Sequence, residues 1–452
     1  MNLPFKDIPS LDNNSSFLYY EQLCNEDSRK DNSLIEKKNT YLNLLTILRQ
    51  SILTNDSSAI IKVLGNISDL LKSFQIVYEF PYAFLFDILN LLSYKEFNIQ
   101  RLSSYIITEI IITNNSIGFF FLENNIIEII YKEILLQNNL IIFFFPMIRV
   151  LSSLDASVLQ LIINTISLAL FETCFEIKEL NEELCLFLNN ISCFQQTSAI
   201  QSFILKSIRR MYDLNYKKCF IYLACSLHQL SNFTNFCFDV YQDLKLGEFI
   251  DFALKETEFH CVLPICLFLS NLFKNHYISS ISKNNLKLIL KYSVNFNLRK
   301  RCEASIDLLI NILEYGDMAT CSYLLKVVPI GKTFIEILRD EKISFIFKLK
   351  ISNFLMLFAS KITFEEFSQL IAFDFFEVIK LVLILSDSYL IEKAAKLIDK
   401  SYQSFVAANT SLFFKKHLKE SIDFDFIESN QFVDNENVGS LLFMLHKIID
   451  DT

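Results

Sequence analysis

The 452-residue sequence has no tryptophan, only six glycines and only six prolines. Tight β-hairpins need residues that accept a positive φ or supply the fixed φ of proline, so this shortage excludes a β-rich fold. Glycine-rich phosphate loops are missing too, since neither G-x-x-x-x-G-K nor G-x-G-x-x-G occurs. The sequence therefore predicts an all-α protein without a nucleotide-binding loop.

Residue types that carry catalysis or bind metals are also sparse. The five histidines are spread along the chain, and no H-E-x-x-H or C-x-x-C spacing occurs. Eleven cysteines are scattered, and Cys185, Cys225, Cys266 and Cys302 lie in apolar runs typical of helices. We interpret them as buried, reduced thiols, which indicates the cytosol or the nucleus. We expect no enzyme activity, no metal and no cofactor, and we expect His228 at the surface or in a groove.

Basic residues are outnumbered, with 42 Lys and Arg against 51 Asp and Glu and a formal net charge of -9. A nucleic-acid-binding protein needs a concentrated basic face, so no nucleic-acid partner is expected. A basic protein partner suits this charge better.

Apolar residues are abundant, at 52% of the chain, and include 45 phenylalanines. The most apolar run, residues 139–148 (NLIIFFFPMI), is shorter than the roughly 20 residues that a membrane span needs. Residues 1–17 have neither the basic nor the apolar region of a secretory signal. We therefore predict no membrane insertion, and the apolar surface must be buried within the fold.

An asparagine recurs in an apolar helical setting about every forty residues. Asn190, Asn232, Asn271, Asn311 and Asn353 are separated by 42, 39, 40 and 42 residues. Each of these marker residues has an apolar residue two positions before it and one position after it. The same step toward the N-terminus reaches Val150, Glu109 and Asn66, where the apolar flanks persist.

A second amphipathic segment precedes each of the last three markers, at residues 247–256, 284–293 and 331–340, and another follows Asn353 at residues 375–386. Helical units with a period near 40 are typical of armadillo and HEAT arrays, in which each repeat buries its apolar face against its neighbours. We predict an all-α, right-handed α-solenoid of about eight to nine armadillo/HEAT-like repeats over residues 41–410. Residues 1–40 are predicted to be a disordered polar tail, and residues 411–452 an acidic segment with a short capping or docking helix. The array is expected to be a monomer.

Two roles are open for the marker asparagines. Asparagine is a mediocre helix former, but its side chain offers both a donor and an acceptor. A row of such amides could hydrogen-bond the backbone of an extended peptide in a groove. Alternatively, each amide caps a loop or bonds an adjacent helix and so holds the repeats together. Hydrogen bonds between the amides and neighbouring helices would favour the second role.

The repeat resembles the armadillo repeats of importin alpha (karyopherin alpha). The resemblance is carried by residues 80–110, by "VLPICLFLSNLFKN" at 262–275 and by residues 375–402, and it covers about residues 45–405. It implies an adapter for nuclear transport that binds basic nuclear localisation signals. In that family the repeats carry the pattern Trp-x-x-x-Asn.

This chain departs from the family at the tryptophan positions. Four residues before the markers stand Lys62, Tyr105, Pro146, Leu186, His228, Leu267, Asp307 and Leu349. By the resemblance, only Tyr105 supplies an aromatic wall for a cargo side chain. Glu109 and Val150 replace asparagine, and the basic N-terminal arm of the family is missing. The resemblance thus implies a diverged relative with eroded cargo pockets.

The sequence predicts a non-catalytic protein that binds an extended peptide along its concave face. The predicted peptide-binding residues are Asn190, Asn232, Asn271, Asn311, Asn353 and Tyr105. The alternative is a structural or regulatory armadillo scaffold that holds a folded partner and is unrelated to nuclear transport. Either function fits a location in the cytoplasm, in the nucleus or in both.

Overall fold

The computed structural model describes residues 30–73, 80–256, 260–295, 298–326, 330–340, 342–429 and 436–450. In these ranges all regular secondary structure is helical. The α-helices are α1 (Lys30–Leu53), α2 (Ser57–Ser73), α3 (Tyr82–Leu91), α4 (Phe97–Thr113), α5 (Asn115–Glu123), α6 (Ile126–Leu136), α7 (Ile141–Leu151), α8 (Ala156–Thr165), α9 (Leu168–Thr173), α10 (Asn181–Ser192), α11 (Ser198–Asp213), α12 (Phe220–Ser231), α13 (Phe238–Asp243), α14 (Gly247–Lys255), α15 (Val262–Lys274), α16 (Lys283–Ser293), α17 (Arg299–Tyr315), α18 (Met318–Lys326), α19 (Ile330–Leu338), α20 (Phe345–Ala359), α21 (Phe364–Ala372), α22 (Phe376–Leu385), α23 (Ser388–Ala407), α24 (Ser411–Ser421), α25 (Phe424–Ser429) and α26 (Glu436–Asp450). Four 3₁₀ turns lie at Asn138–Leu140, Cys174–Glu176, Lys178–Leu180 and Lys217–Cys219.

The chain divides into two compact units, Met1–Ile191 and Ser192–Thr452. In the first unit α2 packs against α1 and α4, and α4 packs against α7. In the second unit α15 packs against α12 and α17, and α20 packs against α17 and α23. Long helices thus pack against the long helices of adjacent repeats, which is the arrangement of a helical-repeat array.

The predicted repeat register is confirmed. The marker positions fall on long helices, namely position 66 on α2, 109 on α4, 150 on α7, 190 on α10, 271 on α15, 311 on α17 and 353 on α20, while Asn232 directly follows α12. The predicted second segments correspond to α14, α16, α19 and α22. The fold class is therefore an all-α solenoid of armadillo/HEAT-like repeats.

The two ends of the array relate differently to the predicted boundaries. Residues 1–29 of the predicted polar tail lie outside the described residues, and α1 begins at Lys30, before the predicted array start at residue 41. At the other end, α26 corresponds to the predicted short helix and packs against α23 and α24. Residues 430–435 of the predicted acidic stretch lie outside the described residues.

Asparagine takes over much of the role that glycine usually has at helix ends. Asn125, Asn215 and Asn409 adopt left-handed backbone conformations, with φ of 59°, 55° and 57°. Asparagine tolerates this region better than most residues because its short polar side chain bonds locally. In the described part of the chain no glycine has a positive φ. A glycine-poor sequence can therefore still end its helices sharply.

Phenylalanine fills the interior in the absence of tryptophan. In the first unit Phe145, Phe171 and Phe187 are fully buried and their ring centres lie 4.8–6.1 Å apart. In the second unit the rings of Phe220 and Phe249 meet edge to face at 5.6 Å. Each fully buried ring contributes about 1.5–3 kcal/mol by removal of apolar surface from water.

The predicted burial of the thiols is confirmed for most of the cysteines named from the sequence. Cys185, Cys266 and Cys302 are fully buried, whereas Cys225 is only partly buried. The ten cysteines in the described ranges are all free thiols.

Candidate functional site

Four of the marker asparagines lie in the carboxyl-terminal halves of long helices, and Asn232 directly follows α12. Asn190, Asn271, Asn311 and Asn353 are partly buried, and Asn232 is exposed. The first of them lies in the first unit, and the other four lie in the second unit. They are neither core residues nor, apart from Asn232, fully exposed surface residues.

The amides of two markers in the second unit bond the preceding long helix. The Nδ2 of Asn271 donates to the Oγ of Ser231 at 3.0 Å and to the Oδ1 of Asn232 at 2.8 Å. The Nδ2 of Asn311 donates to the Oγ of Ser270. Because a primary amide has two N–H groups, Asn271 uses both of them inside the protein.

Asn190 makes the same type of connection within the first unit. Its Nδ2 donates to the backbone oxygen of Arg149 at 3.0 Å and to the Oγ of Ser152 at 3.2 Å. Ser152 is fully buried directly after α7. The recurring bond therefore joins the end of one long helix to the following long helix and braces adjacent repeats.

Asn353 is bonded as an acceptor instead. Its Oδ1 accepts a hydrogen bond from the Nζ of Lys393 on α23 at 2.9 Å. The same ammonium group lies 3.6 Å from a carboxylate oxygen of Glu314 and 4.3 Å from the ring centre of Tyr389. Lys393 thus connects α23 to both α17 and α20.

An ion pair extends this row between α17 and α20. The Nζ of Lys350 lies 2.5 Å from the Oδ2 of Asp307, the residue at one of the family's tryptophan positions. The two side chains are 29% and 36% exposed. Burial raises the pKa of Asp307, and the Lys350 ammonium acts against this rise. Here a charged link between helices lies at a position where the family carries tryptophan.

A groove of about 500 Å³ in the first unit contains Tyr105, the predicted aromatic wall. It is lined by residues of α2, α4, α7 and α10, including Glu109 at the marker position. The Nζ of Lys72 lies 4.9 Å from the ring centre of Tyr105. Burial, together with the Glu109 carboxylate, raises the pKa of Tyr105 to about 12, so its hydroxyl keeps its proton at neutral pH.

The far end of the groove is formed by Pro146, Arg149 and Glu183. The Nε of Arg149 donates to the Oε2 of Glu183 at 2.8 Å, and both side chains are about three-quarters buried. The charged lining residues are Asp69, Lys72, Arg101, Glu109, Arg149 and Glu183. Three of these are acidic and three are basic, so the groove has no excess of either charge.

The structure brings the predicted site residues together only in part. Tyr105 lines the groove, and Asn190 is connected to it through Arg149, whose backbone accepts the amide and whose side chain lines the groove. The serines that accept these bonds, Ser152, Ser231 and Ser270, were not predicted as functional residues. For the last two, the repeated Leu-Ser-Asn order at 230–232 and 269–271 was the available signal.

The expected surface position of His228 is wrong. This side chain is 8% exposed, and burial lowers its pKa to about 4. It therefore stays neutral at physiological pH.

The described ranges offer little basis for a metal site or a membrane span. No group of three or more His, Cys, Asp or Glu side chains there is arranged to hold a metal ion. No single described helix is long and apolar enough to cross a bilayer. The segments Ala156–Thr165 and Leu168–Glu176 meet the length and composition criteria only as a pair, with an 86° bend between them.

Comparison with protein-family models gave no match for this chain. Comparison with curated proteins gave none either. Among solved structures, the chain is similar to the crystal structure of an engineered protein, with a TM-score of 0.60 and 12% identity over 91% of this chain and 99% of that one. It also aligns with a structure from work on a phosphorylation switch in the interaction between cadherin and beta-catenin, with a TM-score of 0.43 and 11% identity over 91% of this chain and 94% of that one. The first of these similarities supports the helical fold and carries no functional assignment.

Proposed function

We propose that the chain is a non-catalytic scaffold that binds another protein and holds an extended segment of that partner in the groove around Tyr105. The observation that carries the proposal is the groove itself, whose lining residues come from four helices, α2, α4, α7 and α10. Helical-repeat proteins use surfaces of this kind to bind extended segments. The volume of about 500 Å³ lies within the range of ligand pockets.

The charged side chains in the groove indicate which kind of partner segment could bind there. Lys72 lies over the Tyr105 ring, and Arg149 is paired with Glu183. A strongly basic segment would meet these cations as well as the carboxylates. We therefore propose a segment that alternates apolar and polar residues and carries both charges, in place of the basic partner expected from the net charge.

The marker asparagines have a structural role in this proposal. A peptide clamp at Asn190 or Asn271 would have to replace bonds that their N–H groups already make to neighbouring helices. Replacing a satisfied intramolecular bond by an equivalent intermolecular one yields little net free energy. This bonding supports the role in which the marker amides hold adjacent repeats together. Peptide binding is therefore assigned to the groove around Tyr105.

The groove can be blocked at a glycine without disturbing the core. A Cβ added to Gly65, which lines the groove, would meet no atom within 4 Å. Peptides selected from a random phage-displayed library on the immobilised full chain serve as probes, and their affinities are measured by fluorescence anisotropy. We expect Gly65→Leu to lower the affinity by about tenfold or more, because the added side chain occupies the groove.

The matched control is Gly247→Leu, since Gly247 has the same free space and lies outside the groove. Tyr105→Ala tests the aromatic wall directly. Unchanged affinity in both Gly65→Leu and Tyr105→Ala would refute the groove as the binding site. A further variant with all five marker asparagines changed to alanine should keep its affinity per folded molecule, because these amides brace the repeats.

An alternative form of the proposal is an adapter for nuclear import, located in the cytoplasm, in the nucleus or in both, in which the same groove holds a basic segment. Its support is the sequence resemblance to importin alpha together with Tyr105 in the groove beside Glu109. A synthetic lysine-rich nuclear-localisation peptide tests this form by fluorescence anisotropy on the full chain. If the chain binds this peptide and Tyr105→Ala abolishes the binding, the adapter function is supported. If the chain binds only mixed-charge peptides, the adapter function is wrong and the general scaffold function is supported.

A further inference from the structure

A second pocket lies entirely within the second unit, among α18, α19, α20 and α21. Its volume is about 350 Å³. The lining residues Phe358 and Leu370 are 6% and 5% exposed, and Gly331 is also buried. A Cβ on Gly331 would lie 2.7 Å from the Cδ1 of Leu370 and 3.4 Å from the Cε1 of Phe358. The floor of this pocket is therefore apolar and tightly packed.

The rim of the pocket is basic and aromatic. Lys326 and Gln369 are exposed, Lys332 is partly exposed, and the Phe373 ring is 41% exposed. The Nζ of Lys332 lies 4.8 Å from the ring centre of Phe373. A ligand on the floor would thus meet an aromatic ring and two ammonium groups at the opening.

The carboxylates near this rim are already engaged or exposed. Glu366, the acidic residue that lines the pocket, accepts the backbone N–H of Thr363 at 2.8 Å as part of a capping box. Asp374, next to Phe373, is paired with Arg339 at 2.5 Å.

Glu336 lies 3.9 Å from Lys332, and both side chains are about half exposed. Such a surface contact is weak, with a typical contribution below about 1 kcal/mol. The lining of the pocket therefore carries two ammonium groups, those of Lys326 and Lys332, against the one carboxylate of Glu366, and this excess attracts an external anion.

We infer that this pocket binds an acidic segment of a partner protein. An apolar side chain of that segment would lie on Phe358 and Leu370, and its neighbouring carboxylates would pair with Lys326 and Lys332. The floor and the exposed face of the Phe373 ring supply apolar contact, and the two ammonium groups supply the preference for acidic sequences. This inference does not depend on the groove around Tyr105, because the two sites share no residue.

The inference is tested with two labelled peptides, Asp-Glu-Phe-Asp-Leu-Glu and the same peptide with lysine at each acidic position. We expect the full chain to bind the acidic peptide more tightly than the basic one. In K326E/K332E the affinity for the acidic peptide should fall by about tenfold or more, since two attractive contacts become repulsive. Phe373→Ala should lower it by a smaller factor.

The control K400E/K419E changes the net charge by the same amount at two exposed lysines outside this pocket. It should bind the acidic peptide like the unchanged chain. A second double variant, K326Q/K332Q, removes the charges without introducing repulsion and should show an intermediate loss. Circular dichroism verifies that each variant is folded.

Equal loss in K326E/K332E and K400E/K419E would overturn the inference, because net charge would then explain the binding. Equal affinity for the two peptides would also overturn it. If octanoate binds at Lys326 and Lys332 but the acidic peptide does not, the pocket is a site for small carboxylates, and the protein-segment assignment is wrong.

Discussion

At the scale of single residues, the amide of Asn271 explains why a polar side chain recurs in an apolar helix. Both of its N–H groups are bonded to α12 and the residue that follows it. A buried or half-buried donor is costly when unpaired, so the bond and the residue are retained together. The asparagine is therefore part of the repeat packing, although its chemistry also suits a peptide clamp.

Asn271→Ala removes two hydrogen bonds between adjacent repeats, and we expect it to lower the free energy of unfolding by about 1–2 kcal/mol. Asn232→Ala removes only one acceptor at an exposed position, so its effect should be less than half as large. Urea denaturation followed by circular dichroism measures both. Equal effects, or no effect of Asn271→Ala, would contradict the bracing role.

His228 predicts a dependence of stability on pH. Burial lowers its pKa to about 4 from 6.5, so between these values the unfolded chain binds a proton that the folded chain does not. The stability that depends on the neutral ring is present above pH 6.5 and is lost as the pH falls toward 4. We expect a loss of up to about 3 kcal/mol from this residue between pH 7 and pH 4.

The measurement is a series of urea denaturations across this pH range for the unchanged chain and for His228→Gln. Carboxylates titrate in both proteins, so only the difference between the two pH profiles reports on the histidine. Parallel profiles would show that the ring is accessible to protons in the folded state.

At the scale of helices, two of the glycines are expected to respond in opposite ways to substitution by alanine. Gly65 lies inside α2 with free space around it, whereas a Cβ on Gly316 would collide with the backbone oxygen of Ile312 at the end of α17. We expect Gly65→Ala to raise the free energy of unfolding by about 0.5–1 kcal/mol through helix propensity.

Gly316→Ala should instead lower the free energy of unfolding by about 1–3 kcal/mol, because a backbone oxygen cannot move aside as a side chain can. Thermal denaturation of the two variants and of the unchanged chain shows whether each substitution raises or lowers the stability. A stabilising Gly316→Ala would mean that the end of α17 rearranges freely.

Helix positions were predictable from the sequence, but the partners of long charged side chains were not. Apolar periodicity located α14, α16, α19 and α22 to within about two residues, since that pattern is local. The pairing of Lys350 with Asp307 and of Lys393 with Glu314 links residues 43 and 79 positions apart. Such pairs depend on the relative placement of three helices, which no local pattern contains.

At the scale of the whole molecule, the repeat period made the fold class predictable. It did not predict the position of the groove around Tyr105. The spacing of the marker asparagines, about forty residues, was enough to predict one long helix in each repeat. The groove around Tyr105 depends on side chains from α2, α4 and α7 that follow no repeating pattern, such as Lys72 and Pro146. A repeating pattern therefore locates the helices of this chain but does not locate this groove.

The burial of thiols predicts slow alkylation of the folded protein. Burial raises the pKa of Cys174, Cys225, Cys261, Cys266 and Cys302 to about 12, so their reactive thiolate forms are rare at neutral pH. We expect these five sites to remain unmodified by N-ethylmaleimide in the native chain and to react completely in urea. Peptide mass spectrometry assigns each site, and rapid native labelling of Cys266 would contradict its burial.

The amide row also gives the array a direction. In the bonds made by Asn190, Asn271 and Asn311, the donor is on the later helix and the acceptor is on the earlier one. A fragment that ends after one of the earlier helices therefore presents oxygen acceptors at its carboxyl-terminal end. A fragment that begins at one of the later helices presents amide donors at its amino-terminal end, so the two ends of a shortened array differ in hydrogen-bonding character.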